Sequence, residues 1–503
     1  MMQGIAKASR RGTSEEFGTT LFFYIYLPGH GCHPSKETNQ KIQNMKSANK
    51  GHFALSPVFL PLLFMVAIPS HAEVEQVIID DIVYLVDTEI SEAIVAEQPT
   101  ELRKNNLVIS DFINYGSKDY PVTALAENAF YNCEGLNGSL TIGNNVKSIG
   151  KYAFWYCTNL TGSLTIGNSV THIGACAFGF TGFSGSLILP DVLEYIGYGA
   201  FQNCSGFTGP LTIPNKVSEI GNGAFSRCSG FTEGLTIPNS ISEIEPFIFE
   251  GCAGLTGSLI IPNSVTSIGF SAFSGCSGFN GTLTISEAIT SIENFVFEGC
   301  SGLTGSLKIP NSVTSIGWNA FSGCSGLTGT LTIPDSVSVI NAWAFEGCKG
   351  FTGTLTIPEK VTKIEYNTFK GCEGLTSIII PGAVSVIEDY AFNNCSGLKE
   401  VYYKAEDPKE GDSFAFSEET YWNAILYVPE AAVEKCRTID PWKQFATIKP
   451  RAGINDVMAD SSDAPACVYN LQGVLFKHDA TQSDIDALPA GLYIIGGKKV
   501  YVK

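Results

Sequence analysis

The sequence predicts a mainly β solenoid of 23–24-residue turns with short parallel strands, followed by a small C-terminal β domain. Three observations carry this. Cysteine recurs every 24 residues at Cys204, Cys228, Cys252, Cys276, Cys300, Cys324, Cys348 and Cys372, each three residues after a phenylalanine. Twelve phenylalanines, at 130, 154, 178, 201, 225, 249, 273, 297, 321, 345, 369 and 392, mark twelve turns. A short apolar alternation ending in proline also returns once per period. A period this strict means a stack of one small unit, and such a stack lengthens without enlarging its core. The chain's 503 residues therefore do not count its domains.

One unit begins at Leu303: LTGSLKIPNSVTSIGWNAFSGCSG. Leu307 and Ile309 alternate with Lys308 as a strand with one buried face, and Pro310 ends it because proline offers no amide to a ladder. Asn311-Ser312 turn the chain, Val313 and Ile316 form a second apolar pair, and Gly317 turns it again. Ala320, Phe321 and Cys324 supply the last inward side chains. A single turn cannot cover its own apolar face, so neighbours must bury it. The phenylalanines should then stack as a buried ladder, with Phe225, Phe249, Phe273, Phe297, Phe321 and Phe345 and their partners Cys228, Cys252, Cys276, Cys300, Cys324 and Cys348 as its central rungs.

A 48-residue period lies over the first. It places an aromatic residue three positions before the ladder phenylalanine at Phe270, Trp318 and Tyr366, and two positions before it at Phe247, Phe295 and Trp343. These two files are expected on one flank, as a candidate ligand-binding stripe or as ridge residues packing against neighbouring turns.

The ends differ in character. Met45-Lys46 and Lys50 precede the proline-interrupted apolar run Phe53–Pro69 and the small-x-small signature Ser70-His71-Ala72, so residues 45–72 read as a signal peptide and 1–44 as a spurious upstream extension. No segment of the chain after the leader reaches the ~20 continuous apolar residues that a membrane span needs. Residues 73–108 read as an N-terminal cap segment, 109–400 as the repeat solenoid and 401–450 as C-terminal cap turns. Residues 451–503 read as a small β-rich domain whose last strands flank Gly496-Gly497.

Charge and chemistry narrow the function. Residues 73–503 carry 24 Lys and Arg against 46 Asp and Glu, a balance that repels nucleic acid and anionic lipid. Solubility is the plain reading of this acidity, attraction of a basic partner the alternative. Eleven cysteines, now including Cys133, Cys157 and Cys395, fall in the ladder. Parallel side chains stacked at ~4.8 Å do not meet disulfide geometry, and a linear file is no metal cage, so reduced thiols filling the core as small apolar groups are expected. Only His172 and His478 remain after the leader, too few for a histidine-paired nucleophile. Glu250, Glu298 and Glu346 recur every two turns, about 10 Å apart and expected on a solvated face. Thr212, Thr236, Thr284, Thr332 and Thr356, interrupted by Ile260 and Lys308, form an outer strand file. No catalytic residue, metal or cofactor is expected.

The pattern Leu375-x-x-Ile378-x-Ile380-Pro381-x-x-Val384, coupled to an Ala-Phe-x-x-Cys block, resembles the BspA-type leucine-rich repeat family of bacterial surface proteins over roughly residues 105–450. The resemblance implies a right-handed leucine-rich-repeat solenoid. It implies a non-catalytic protein-binding or adhesion module, exported to the outer-membrane surface or medium of a Bacteroides-type bacterium. Its partner would be an extracellular protein of the host matrix or of another bacterial surface, and the alternative is a cell-surface glycan. The tail, from Val468-Tyr469-Asn470-Leu471-Gln472-Gly473-Val474 to Lys503, resembles a type IX secretion sorting domain, without the Pro-Asn-Pro segment that usually opens one.

Overall fold

A computed structural model describes residues 74–451 and the strands Ala466–Tyr469, Leu475–Ala480, Gly491–Ile495 and Lys498–Val502. The expected leader, the segment before it and the linker Ala459–Ala464 lie outside the described residues. The chain winds into a β-solenoid of about 14 turns spaced about 24 residues apart.

Each turn is tied to the next along three lines. The first is the leucine strand: Leu259–Ile260 runs parallel to Leu283–Thr284, each residue opposite its counterpart one period on. Leucine points inward at these positions, and the file from Thr212 to Thr356 is exposed throughout. The second line is a strand where the sequence marks only an apolar pair between turns. Ser315–Ile316 lies parallel between Ser291–Ile292 and Val339–Ile340, because β-branched residues here favour extended backbone. The amide of Gly317 continues this line by donating to the Ile292 carbonyl at 2.8 Å.

The third line passes under the aromatic ladder. The amides of Phe295, Phe297 and Gly299 donate to the carbonyls of Trp318, Ala320 and Ser322 in the next turn at 2.8, 2.9 and 2.7 Å. Alternate amides can all point along the stack because the residues two before and two after the ladder phenylalanine are left-handed. Around Phe297 these are Phe295 at φ 61° and Gly299 at φ 69°.

Twelve stacked ring pairs run without a break from Phe130 to Phe416, with centroids 4.9–5.9 Å apart and planes within 18°. Phe416 adds a thirteenth rung beyond Phe392. A shorter file, Phe183, Phe207 and Phe231, stacks beside it at 6.3 and 6.1 Å.

The cysteines do more than fill space. All thirteen described cysteines are unpaired and buried. In ten cases, Cys157 and the nine consecutive rungs from Cys204 to Cys395, the thiol donates to the carbonyl of a ladder phenylalanine one turn back, at 3.0–3.3 Å. The Phe273 carbonyl, for example, accepts both the Cys276 amide and the Cys300 thiol. Thr181 occupies the cysteine position of its turn, fully inside, and its hydroxyl bonds the Phe178 carbonyl at 2.7 Å. That carbonyl belongs to its own turn, three residues back, so the position takes a small side chain that donates to a phenylalanine carbonyl, and the bond between turns is made by the thiols. Cys300→Thr is expected to cost less stability than Cys300→Ala, which leaves both a cavity and a lost donor worth ~1–2 kcal/mol. Denaturant midpoints of the two variants check this, and an alanine variant at least as stable as the threonine variant would contradict it.

Both ends of the core are covered. Val74–Ile79 (β1), Ile82–Asp87 (β2) and Glu92–Val95 (β3) form an antiparallel meander, and β3 then runs parallel to Lys118–Leu125 to start the second line of strands. The leucine-strand line already begins at Lys104–Ile109, paired with Leu136–Ile142. At the far end Leu375–Ile380, Glu400–Tyr403, Ile425–Val428 and Thr447–Pro450 continue that line. There Trp442 stacks on Tyr403 at 4.2 Å, and Phe416 meets Tyr421 and Phe445, an aromatic plug over the last rung. The tail strands form an antiparallel sheet in the order Leu475–Ala480, Ala466–Tyr469, Gly491–Ile495, Lys498–Val502. Among the described residues no helix is long and apolar enough to cross a membrane.

Candidate binding surface

Five of the six aromatic residues singled out by the 48-residue period meet across the two expected files in two groups along one row, with Trp318 in the turn between them. Phe247 meets Phe270 edge to face at 5.1 Å, and Phe270 meets Phe295 tilted at 5.2 Å. Trp343 meets Tyr366 at 5.3 Å, and the row continues to Tyr390 at 5.6 Å and Phe414 at 6.0 Å. Trp318 lies between the two groups, 37% exposed, as are Phe270 and Tyr366. Phe247, Phe295 and Trp343 are half-buried between them. Tyr390 and Phe414 belong to the same surface, but the 48-residue alternation does not single them out, because it decays at the end of the repeats.

The row converges because of backbone conformation. The residue two before the ladder phenylalanine is left-handed in turn after turn. Where the aromatic residue sits at the preceding position, this site holds a permissive residue: Ser271 at φ 54°, Asn319 at 55° and Asn367 at 58°. In the alternate turns it holds the aromatic residue itself: Phe247 at 59°, Phe295 at 61°, Trp343 at 59° and Tyr390 at 62°. A bulky L-residue in this region costs ~1–2 kcal/mol that glycine would not. The same position is left-handed at Tyr152 (58°) as well, outside the row.

Side chains brace the backbone beneath the row. The Trp318 amide donates to Asn294 Oδ1 at 2.8 Å, and the Tyr366 amide to Glu388 Oε2 at 2.9 Å. The Ala342 amide, next to Trp343, donates to Glu365 Oε2 at 2.9 Å. Lys363 sits between Glu388 and Glu365, at 2.8 and 3.6 Å, and these carboxylates raise its pKa. Desolvation, then Asp412 and Glu388, hold the Asp389 carboxyl above its usual range. The border of the row at Tyr366 and Tyr390 is therefore acidic.

The other candidates are accounted for by structure. The carboxylates of Glu250, Glu298 and Glu346, expected on a solvated face, are half-buried, because their position beside the ladder points them between turns. Glu250 accepts from Ser226 at 2.8 Å, Glu298 from Ser274 at 3.1 Å and Glu346 from Lys370 at 3.0 Å. Burial, opposed by the Ser274 hydroxyl, raises the Glu298 pKa. His172 contacts the Thr171 hydroxyl at 2.8 Å, and its ring lies 6.0 Å from that of Tyr195. Among the described residues no group of three or more His, Cys, Asp or Glu is placed to hold a metal ion.

A family model described as BspA type leucine rich repeat region, in 6 copies, matches residues 123–256, 209–328 and 327–429, more than half of the chain. Among solved structures, a leucine rich cell surface protein from Faecalibacterium prausnitzii is 26% identical, covering 65% of this chain and 94% of that one with a TM-score of 0.45. A leucine-rich repeat protein from Bacteroides ovatus is 26% identical, covering 67% of this chain and 99% of that one with a TM-score of 0.41. The pneumococcal vaccine antigen PcpA is 18% identical, covering 75% and 99% with a TM-score of 0.43. No curated protein matches the chain in sequence.

Proposed function

The chain belongs to the BspA-type leucine-rich repeat family, and from that premise we propose that it is an exported, surface-displayed adhesion module without catalytic activity. It engages an extracellular protein, of host matrix or of another bacterium, through the aromatic row. The observation that carries this reading is the row itself: half-exposed rings held on left-handed backbone in alternate turns. Its acidic border favours a partner segment that brings basic as well as apolar side chains, and disfavours an anionic polysaccharide. The leader over residues 45–72 would export the chain, and the tail would serve as a type IX sorting signal in a Bacteroides-type cell.

A neutral glycan is the second reading. Phe270, Trp318 and Tyr366, each 37% exposed, recur every two turns, about 10 Å at ordinary strand spacing, a regular platform for sugar rings. Binding of the full chain to immobilised fibronectin, fibrinogen and a neutral glycan panel separates the two. Saturable protein binding that survives physiological salt and deglycosylation of the protein is expected. Binding to glycans alone would replace the adhesion reading with the second, and binding to none of them would remove the host-matrix partner.

A further inference from the structure

The N-terminal meander leaves β1 at the edge of a nine-stranded sheet. All six residues of β1 pair with β2 without a bulge, and among the described residues the other side of β1 carries no strand. Its outward face presents Val74, 40% exposed, Gln76, and Ile78, 70% exposed. The strand contains no lysine or proline, the residues that blunt edges against pairing. The far end of the solenoid is built differently: the edge strand Thr447–Pro450 carries both, as Lys449 and Pro450.

We infer that β1 is a dimerisation edge, and that its occupant is β1 of a second copy in antiparallel pairing about a two-fold axis normal to the sheet. The residue pattern selects the register. Directly opposed residues must share a face, so only registers that pair even with even and odd with odd positions continue both faces of the sheet. With Gln76 on the axis, Val74 lies opposite Ile78 of the second copy, the two Gln76 amides face each other, and Glu75 lies opposite Val77. Sliding by two residues one way opposes Glu75 to Glu75, and the other way opposes Val74 to Asp80. Of the three, the central register is the one that pairs the two exposed apolar residues, Val74 and Ile78, with each other while opposing no like charges. Glu75 is also held toward its own subunit by the Tyr115 hydroxyl at 2.5 Å. The contact is isologous and closes at two copies, and the blunted opposite end does not extend it.

The dimer stands independently of the adhesion reading. If both hold, two solenoids point away from one sheet and present two aromatic rows, so a surface with repeated partner sites is held by avidity.

Sedimentation velocity of the full purified chain, with three substitutions, tests the pairing and its register together. The wild-type chain is expected to sediment as a dimer at micromolar concentration. Ile78→Lys and Val74→Glu alone, both at exposed positions, are each expected to raise the dissociation constant roughly 100-fold by opposing a charge to an apolar residue. The combined V74E/I78K chain places glutamate opposite lysine in both halves and is expected to recover the dimer, with sensitivity to salt. Unchanged thermal midpoints confirm that each variant folds. A monomeric wild type, a dimer indifferent to Ile78→Lys, assemblies that grow with concentration, or failure of the double variant to recover would each overturn the inference.

Discussion

Phe297→Ala is expected to destabilise the solenoid by ~3–5 kcal/mol, whereas Phe295→Gly, two residues away, should be close to neutral. Phe297 is fully buried and stacks on Phe273 at 5.9 Å and Phe321 at 5.3 Å, so truncation opens a cavity shared by three turns. Phe295 is half-buried and left-handed at φ 61°. Glycine there removes ~1–2 kcal/mol of backbone strain and loses ring contacts of similar size. A repeat array couples neighbours more strongly than distant turns, so the Phe297→Ala loss should centre on turns 273–345. Amide hydrogen exchange along the chain, together with denaturant midpoints, measures both the size and the spread. A cost below ~1 kcal/mol at Phe297, or a larger cost at Phe295, would contradict the assignment of ladder and row.

Alkaline unfolding should begin near pH 9 and be steep. Burial pushes the thiols of Cys252, Cys300, Cys348 and Cys395 up to about 12, and those of Cys228, Cys276, Cys324 and Cys372 well above their ordinary range. A thiol is neutral when protonated, so a folded pKa above the unfolded one contributes stability that is complete below the unfolded value near 9. It is lost as pH rises from there toward the folded value. Each buried thiol removes about 1.4 kcal/mol per pH unit across that window, and many of them act on one chain. The thermal midpoint should therefore be flat from neutrality to about pH 8.5 and fall sharply above it. In the native state none of the thirteen buried cysteines from Cys133 to Cys436 should react with a thiol reagent. A midpoint unchanged to pH 11, or rapid labelling of the ladder cysteines, would show that the file is open to water.

Much of this architecture was legible because a solenoid repeats its solution. The interval between Phe297, Phe321 and Phe345 gives the turn length, and the stacking of those rings follows once each turn is known to need its neighbours. The alternation of Leu307, Lys308 and Ile309 gives the leucine strand in the same way. What remained hidden depends on dihedral angles and on backbone partners. Periodicity places Phe295 at one offset and Trp318 at another, which reads as two files. Only the left-handed turn beneath Phe295, Trp343 and Tyr390 folds those offsets into one row. Val313 and Ile316 read only as an apolar pair between two turns, yet pairing with both neighbouring turns makes Ser315–Ile316 a strand. The cysteine thiols read as small apolar groups because composition does not show the phenylalanine carbonyl one turn back. The edge at β1 was hidden for a different reason: its six residues lie outside the repeat, where no period says which side is covered.

The central claim is that the aromatic row is kept for a partner and not for the fold. The most direct measurement pairs thermal stability with partner binding for the full chain carrying Trp343→Gly and Trp318→Ala. The account predicts a thermal midpoint close to that of the parent and a loss of about 2 kcal/mol in affinity for each ring, the weight expected of central aromatic anchors. Full retention of binding, or a fall in stability like that of Phe297→Ala, would show that the row is packing.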